Sequence, residues 1–245
     1  MMAAAPPDPA AVIALLLDVL SHQSAPAAVD WLRAEIDHQR GCDDPARLAR
    51  AFGLAGRRIG RDDLAISDEA CAAARRLRAQ WQPEGWSADE AARVALLLAT
   101  HRADDAAFAA RVDRLAATAG VTELAAVLKG FAVFPAPQAL YGRAREGVRS
   151  AITPVLAAIA CRNPYPFDYF DDAAWNQMVV KCVFGGIAVE TIVGLEERRN
   201  PEVVQMLRDL VSERHAAGRS LPDAVHAYVA GDVQMATSER MRADR

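Results

Sequence analysis

Apolar residues recur along this chain at three- and four-residue intervals, and no stretch of useful length alternates with a period of two. The first spacing places side chains on one face of a helix, whereas the second would mark a strand, so the pattern predicts helix throughout. Helices are expected at about 9–22, 26–40, 45–59, 67–81, 87–102, 104–118 and 121–134, each opened by Ser, Asp, Pro or Thr where a cap belongs. The run Val94–Thr100 is apolar nearly all round, which marks a central helix. On the first helix Ile13, Leu16, Leu17 and Leu20 share one face. Ser87-Ala88-Asp89-Glu90 has the form of a capping box, and Thr122-Glu123 opens another helix.

The second part of the chain is punctuated by stiffer turns. Asn163-Pro164-Tyr165-Pro166 is not expected to be helical inside, because each Pro removes a donor and biases its predecessor to an extended backbone. Asp171 or Asp172 then caps a helix running to Cys182 or Phe184, stopped by Gly185-Gly186. On it Trp175, Met178, Val179 and Cys182 fall at i, i+3, i+4 and i+7, a single buried face. Asn200-Pro201 starts a last strong helix, with Asn as cap and Pro in the first turn. It buries Val203, Leu207, Leu210 and Val211 and ends at Arg214-His215. The fold class is therefore all-α: about ten to twelve helices with short connections, packed antiparallel as an α-solenoid-like array or a compact helical domain. No fixed-period repeat is found. Phe134-Pro135-Ala136-Pro137 divides an N-terminal helical half, 1–135, from a second half, 136–230, the two forming one continuous domain. A polar tail, 231–245, is expected to fray.

Composition changes little. A chain of 245 residues with 52% hydrophobic and 24% charged residues can bury a substantial core. A net charge of −4 offers no general attraction to nucleic acid or anionic lipid. Nearly all basic residues are Arg; Lys129 and Lys181 are the two lysines. No stretch approaches the roughly 20 apolar residues of a membrane span. The N-terminus lacks the basic region of a signal peptide and is interrupted by Asp18. Cys42, Cys71, Cys161 and Cys182 form no CxxC pair, so neither zinc nor a disulfide framework is called for. The expectation is a reduced, cytoplasmic protein with no nucleic-acid partner and no direct membrane insertion.

Candidate chemistry concentrates after residue 140. Asp168, Asp171 and Asp172 superficially resemble the carboxylate clusters that hold Mg²⁺ and diphosphate, but helix capping accounts for the latter two, and no second cluster faces them. Arg145 and Arg149 lie four apart and either clamp a carboxylate or phosphate, or pair internally with Glu146, Asp168 or Asp171. Asn176, Gln177 and Lys181 line the polar side of the Trp175 helix. Asn176, at the border of the buried face, either ties that helix to a loop such as the Asn163 turn or binds a ligand carbonyl. Tyr165, Phe167, Tyr169, Phe170 and Trp175 pack as core, or, if exposed, form a patch for a planar metabolite or a partner protein. Glu196-Glu197-Arg198-Arg199 reads as a solvated mixed-charge turn. No His or Cys stands in a catalytic or zinc-binding spacing.

The segments RNPYP, YFDDAAWNQMVVKCVF, IVGLEERRNPEVVQML and SERHAAGR, in that order and spacing, resemble the EboA family of bacterial proteins over roughly the last third of the chain. The chain departs from the family pattern at His215, where relatives tend to have Trp, and after Arg219. The resemblance implies assistance in the export of a secondary metabolite or its precursor. The family's operon setting implies pathway proteins as partners, among them a membrane prenyltransferase-like protein. It implies no catalytic residues, cofactor or metal. The resulting expectation is a non-enzymatic carrier or adaptor for a hydrophobic metabolite, with Arg149, Asn163, Tyr165, Tyr169, Trp175, Asn176 and Lys181 as candidate ligand- or partner-binding residues. The alternatives are an enzyme of prenyl-derived metabolism and a pure protein–protein interaction module.

Overall fold

The computed structural model describes residues 5–231, and these contain twelve α-helices, one 3-10 turn and a final helical segment at 223–231, with no strand among them. The first seven helices are α1 (Pro9–Gln23), α2 (Pro26–Gly41), α3 (Pro45–Arg58), α4 (Asp68–Leu77), α5 (Ala88–Leu98), α6 (Asp105–Thr118) and α7 (Val121–Gly130). The next five are α8 (Tyr141–Arg149), α9 (Thr153–Ala160), α10 (Tyr165–Tyr169), α11 (Asp172–Phe184) and α12 (Pro201–Ala216), with the 3-10 turn at Val189–Thr191 before α12. Apart from Gly231, the predicted polar tail lies outside the described residues.

The caps follow local chemistry. Side chains of Asp8, Asp44, Ser67, Asp104, Asp171 and Asn200 each accept from the first-turn amides of the helix that follows. At α5 the box is shared differently: Glu90 accepts from the Ser87 amide at 2.8 Å, while the Ser87 hydroxyl donates to Asp89 at 2.5 Å. Three helices stop earlier than their hydrophobic pattern predicts, at Leu77, Leu98 and Gly130. Apolar residues beyond those ends, Trp81, Phe131 and Phe134, remain fully buried in turns, so burial outlasts helicity. The Pro-bearing turn is helical too: α10 runs through Pro166, which sits in its first turn, where its missing N–H is no loss.

Helix α5 is the hub. All its residues except Glu90 are buried, and it packs against α1, α2, α3 and α7. A solenoid would join only sequence neighbours, whereas α1–α5 and α3–α5 are distant in sequence, so the arrangement is the compact one. The apolar core continues through the Phe134–Pro137 connection into α8, α9 and α11.

Two ion pairs sit inside. Arg93 pairs with Asp89 on α5, with Nε also donating to the Phe52 carbonyl at 3.1 Å. Arg78, just after α4, reaches Asp168 on α10 at 2.5 Å and the Ala132 carbonyl at 2.5 Å. Burial without such partners would leave each charge uncompensated.

Candidate functional site

The candidate residues do not converge on one site. Asn163 is buried and satisfied: its amide nitrogen donates to the Leu128 and Ala158 carbonyls at 2.9 and 3.1 Å, and its oxygen accepts from the Tyr165 amide at 3.0 Å. Tyr165 is fully buried, donates to the Pro137 carbonyl at 2.6 Å, and packs against Phe131, Tyr169 and Phe170. Burial drives its hydroxyl well above the ordinary phenol range, as expected of a structural tyrosine. Tyr169 is half-buried against the Arg78 guanidinium, 5.8 Å from its ring centre. These residues anchor the α9–α10 turn to the core.

Trp175 is buried completely, in line with its predicted face, together with Met178, Val179 and Cys182. Asn176 is buried as well, but its partner is not the Asn163 turn. It exchanges side-chain hydrogen bonds with Asn200, at 2.9 and 3.3 Å, and donates to Glu202 at 3.2 Å, tying α11 to the start of α12. Arg145 bonds the Tyr141 hydroxyl and Gln177 rather than a carboxylate, and Glu146 takes Arg143. Arg149 is exposed and Lys181 half-exposed on another element, and neither makes an ion pair among the described residues. The three carboxylates are dispersed too: Asp168 pairs with Arg78, Asp171 caps α11 and accepts from Tyr141, and Asp172 pairs with Arg198. Among the described residues no group of three His, Cys, Asp or Glu is placed to hold a metal.

The segment around Arg198 corrects the sequence reading. Arg198 is not a solvated turn residue. It donates to the carbonyls of Pro166, Phe167 and Phe170 and to Asp172, and its guanidinium lies 4.8 Å from the Trp175 ring centre. Arg199 stacks on Tyr228 at 4.5 Å. A planar cation with five donors can close several carbonyls and cover an indole at once, which a mixed-charge string in the sequence does not reveal.

The concave feature lies on the other side of the Asn163 turn. A cleft of about 440 Å³ opens between α7, α9, the Glu84–Trp86 turn and the loop through Thr191. Pro154, Ala157, Ala158, Trp86, Ile187 and Ala188 give it apolar walls. Local backbone chemistry builds it. After α9 the chain extends at Cys161 and turns left-handed at Arg162, with φ of 50°. The Arg162 amide donates to the Thr191 carbonyl at 2.7 Å, which pins the outer loop as a wall. Its guanidinium donates to the Glu84 carbonyl at 3.2 Å and lies over Gly85, where a Cβ would come within 2.5 Å of it. Gly85, at φ of 86°, thus serves both the turn and the close approach.

On the same rim the Lys129 ammonium donates to the Gly85 carbonyl at 2.9 Å and to Glu90 at 2.6 Å. Glu84 pairs with Arg75 at 3.0 Å. Arg162 makes no ion pair with a described residue. Burial pushes the Cys161 thiol up, so the sulfur in this wall is a neutral, weakly polar surface. A larger hollow of about 620 Å³, near His215 and His226, is bounded mainly by exposed residues of the end of α12 and the segment after it, and gathers no buried polar group.

These features define a class: an all-helical protein with a small apolar cleft whose rim carries cations. The family described as metabolite traffic protein EboA matches residues 12–230, and the chain belongs to it. No curated protein and no solved structure matches the chain.

Proposed function

We propose that this protein is a non-enzymatic carrier in metabolite traffic, holding a hydrophobic secondary metabolite or its precursor in the Ala157–Ile187 cleft and passing it to proteins of the same pathway. The cleft carries the reading: its volume of about 440 Å³ falls within the range of small-molecule sites, and its walls are largely apolar. An exposed aromatic patch would favour a pure protein–protein interaction module, and the aromatic group after Asn163 does not supply one. Tyr165, Phe170 and Trp175 are buried, with Phe167 and Tyr169 only partly exposed. Handover to a membrane prenyltransferase-like partner would be by contact, since no helix among the described residues is long and apolar enough to cross a membrane.

The test is native mass spectrometry of protein purified gently from its own host, beside an Ala157→Trp variant that fills the cleft. An additional mass of a few hundred daltons on the wild type, lost in the variant, is expected. Protein that emerges bare, or only with another polypeptide, would replace the carrier reading with the adaptor one.

A further inference from the structure

Resting on the carrier reading, we infer that the cleft selects an amphipathic organic anion, with Arg162 as the residue that binds its charged end. The rim and its immediate partners bring three cations, Arg75, Lys129 and Arg162, against two carboxylates, Glu84 and Glu90. The excess is local and opposes the chain's net charge of −4. Arg75 and Lys129 are each matched at 3.0 and 2.6 Å, so the unmatched charge is the guanidinium of Arg162. One of its five donors goes to the Glu84 carbonyl, which carries no formal charge, and the others keep the fork geometry that suits a carboxylate or phosphate.

The arrangement is preformed. The left-handed backbone at Arg162 and its amide bond to Thr191 fix where the side chain leaves the chain, and the bond to the Glu84 carbonyl over the bare Gly85 surface brings the solvent-exposed guanidinium to the edge of the apolar walls. A ligand with an apolar body and a terminal anion would bury the body against Ala157, Ala158 and Ile187 and bring its charge to this rim. An uncharged ligand of the same shape would gain the apolar contact alone.

The experiment compares two fluorescent probes with related ring systems: anilinonaphthalene sulfonate, an anion, and phenyl-naphthylamine, which is uncharged. They are titrated into wild type, Arg162→Asn, Arg162→Lys and Ala157→Trp, each checked for an unchanged melting curve. Asn is chosen because it tolerates the left-handed backbone. Arg162→Asn is expected to weaken the sulfonate about tenfold and leave the neutral probe unchanged, with Arg162→Lys recovering part of the loss. Displacement of the sulfonate by laurate and by dodecyl phosphate, but not by dodecanol, is expected, and the stronger of the two assigns the anion as carboxylate or phosphate. If Arg162→Asn changes both probes equally or neither, or if dodecanol competes as well as the anions, the selectivity is overturned. Should Ala157→Trp abolish both probes in that case, the carrier cleft survives without it. Should Ala157→Trp abolish neither, the cleft reading itself falls.

Discussion

Replacing Arg78 with Met tests how the two halves of the chain are joined. Met keeps much of the apolar stem and removes the charge together with both hydrogen bonds, one to Asp168 and one to the Ala132 carbonyl, each 2.5 Å. The Arg78 side chain is 2% exposed and that of Asp168 11%, so water replaces little of what is lost. Removing one partner of a buried pair leaves an uncompensated charge, at a cost of about 3–5 kcal/mol. For a domain of this size that corresponds to a fall in melting temperature of roughly 6–20 °C. The assay is urea unfolding followed by circular dichroism for wild type, Arg78→Met, Asp168→Leu and the double variant. Because the penalty belongs to the stranded charge, the double variant is expected to be more stable than Arg78→Met alone. A loss below about 1 kcal/mol in Arg78→Met, or a double variant whose loss equals the sum of the singles, would refute the reasoning.

Trp175→Ala removes a fully buried indole and the surface on which Arg198 rests, and is expected to cost about 3–5 kcal/mol in the same unfolding assay. Asn176→Ala and Asn200→Ala each break the reciprocal amide pair and are expected to cost about 1–3 kcal/mol, with a double variant well short of their sum; additive losses would show that the pair is not coupled. Asp171 is held below the ordinary carboxylate range, first by the Ala174 amide it caps and then by the Tyr141 hydroxyl. A depressed folded value means that its stabilisation is present above the usual carboxylate value of about 3.9 and is lost as pH falls through the lower, folded value. Asp171→Asn, which keeps a capping oxygen, is expected to show a shallower decline of melting temperature across that acidic window. Identical pH profiles would remove Asp171 from the account.

Particular residues show how much of the fold is legible in the sequence. Val94–Thr100 could be read as central because it lacks a polar face, and α5 is indeed the hub. Trp175, Met178, Val179 and Cys182 could be placed on one face by spacing, and all four are fully buried. Asn200-Pro201 and Asp171 could be read as helix starts because capping is a local event, completed within three residues. Helix ends were less legible where apolar residues run on into buried turns, as at Trp81 and Phe134, since hydrophobicity reports burial rather than backbone state. Val211 on α12 follows the same limit: it is only partly buried, and Val204 takes the inner position.

The candidate site was far less legible, because its partners come from distant parts of the chain. Asn176 carried a clear signal of being an amide near a buried face, but only the packing of α11 on α12 made Asn200 its partner. Arg198 looked solvated in a mixed-charge string, and only the return of the chain over α10 and Trp175 gave it carbonyls and a ring. Arg162 stood beside residues singled out by the sequence, and Lys129 was conspicuous as one of two lysines, yet neither identified a cleft. By itself the sequence determined helices, caps and buried faces, because these depend on interactions within one or two turns. Tertiary structure alone decided how charges such as Arg78–Asp168, Lys129–Glu90 and Arg198–Asp172 are matched, which carbonyls they close, and where an unmatched guanidinium meets an apolar wall, because those contacts join residues dozens of positions apart.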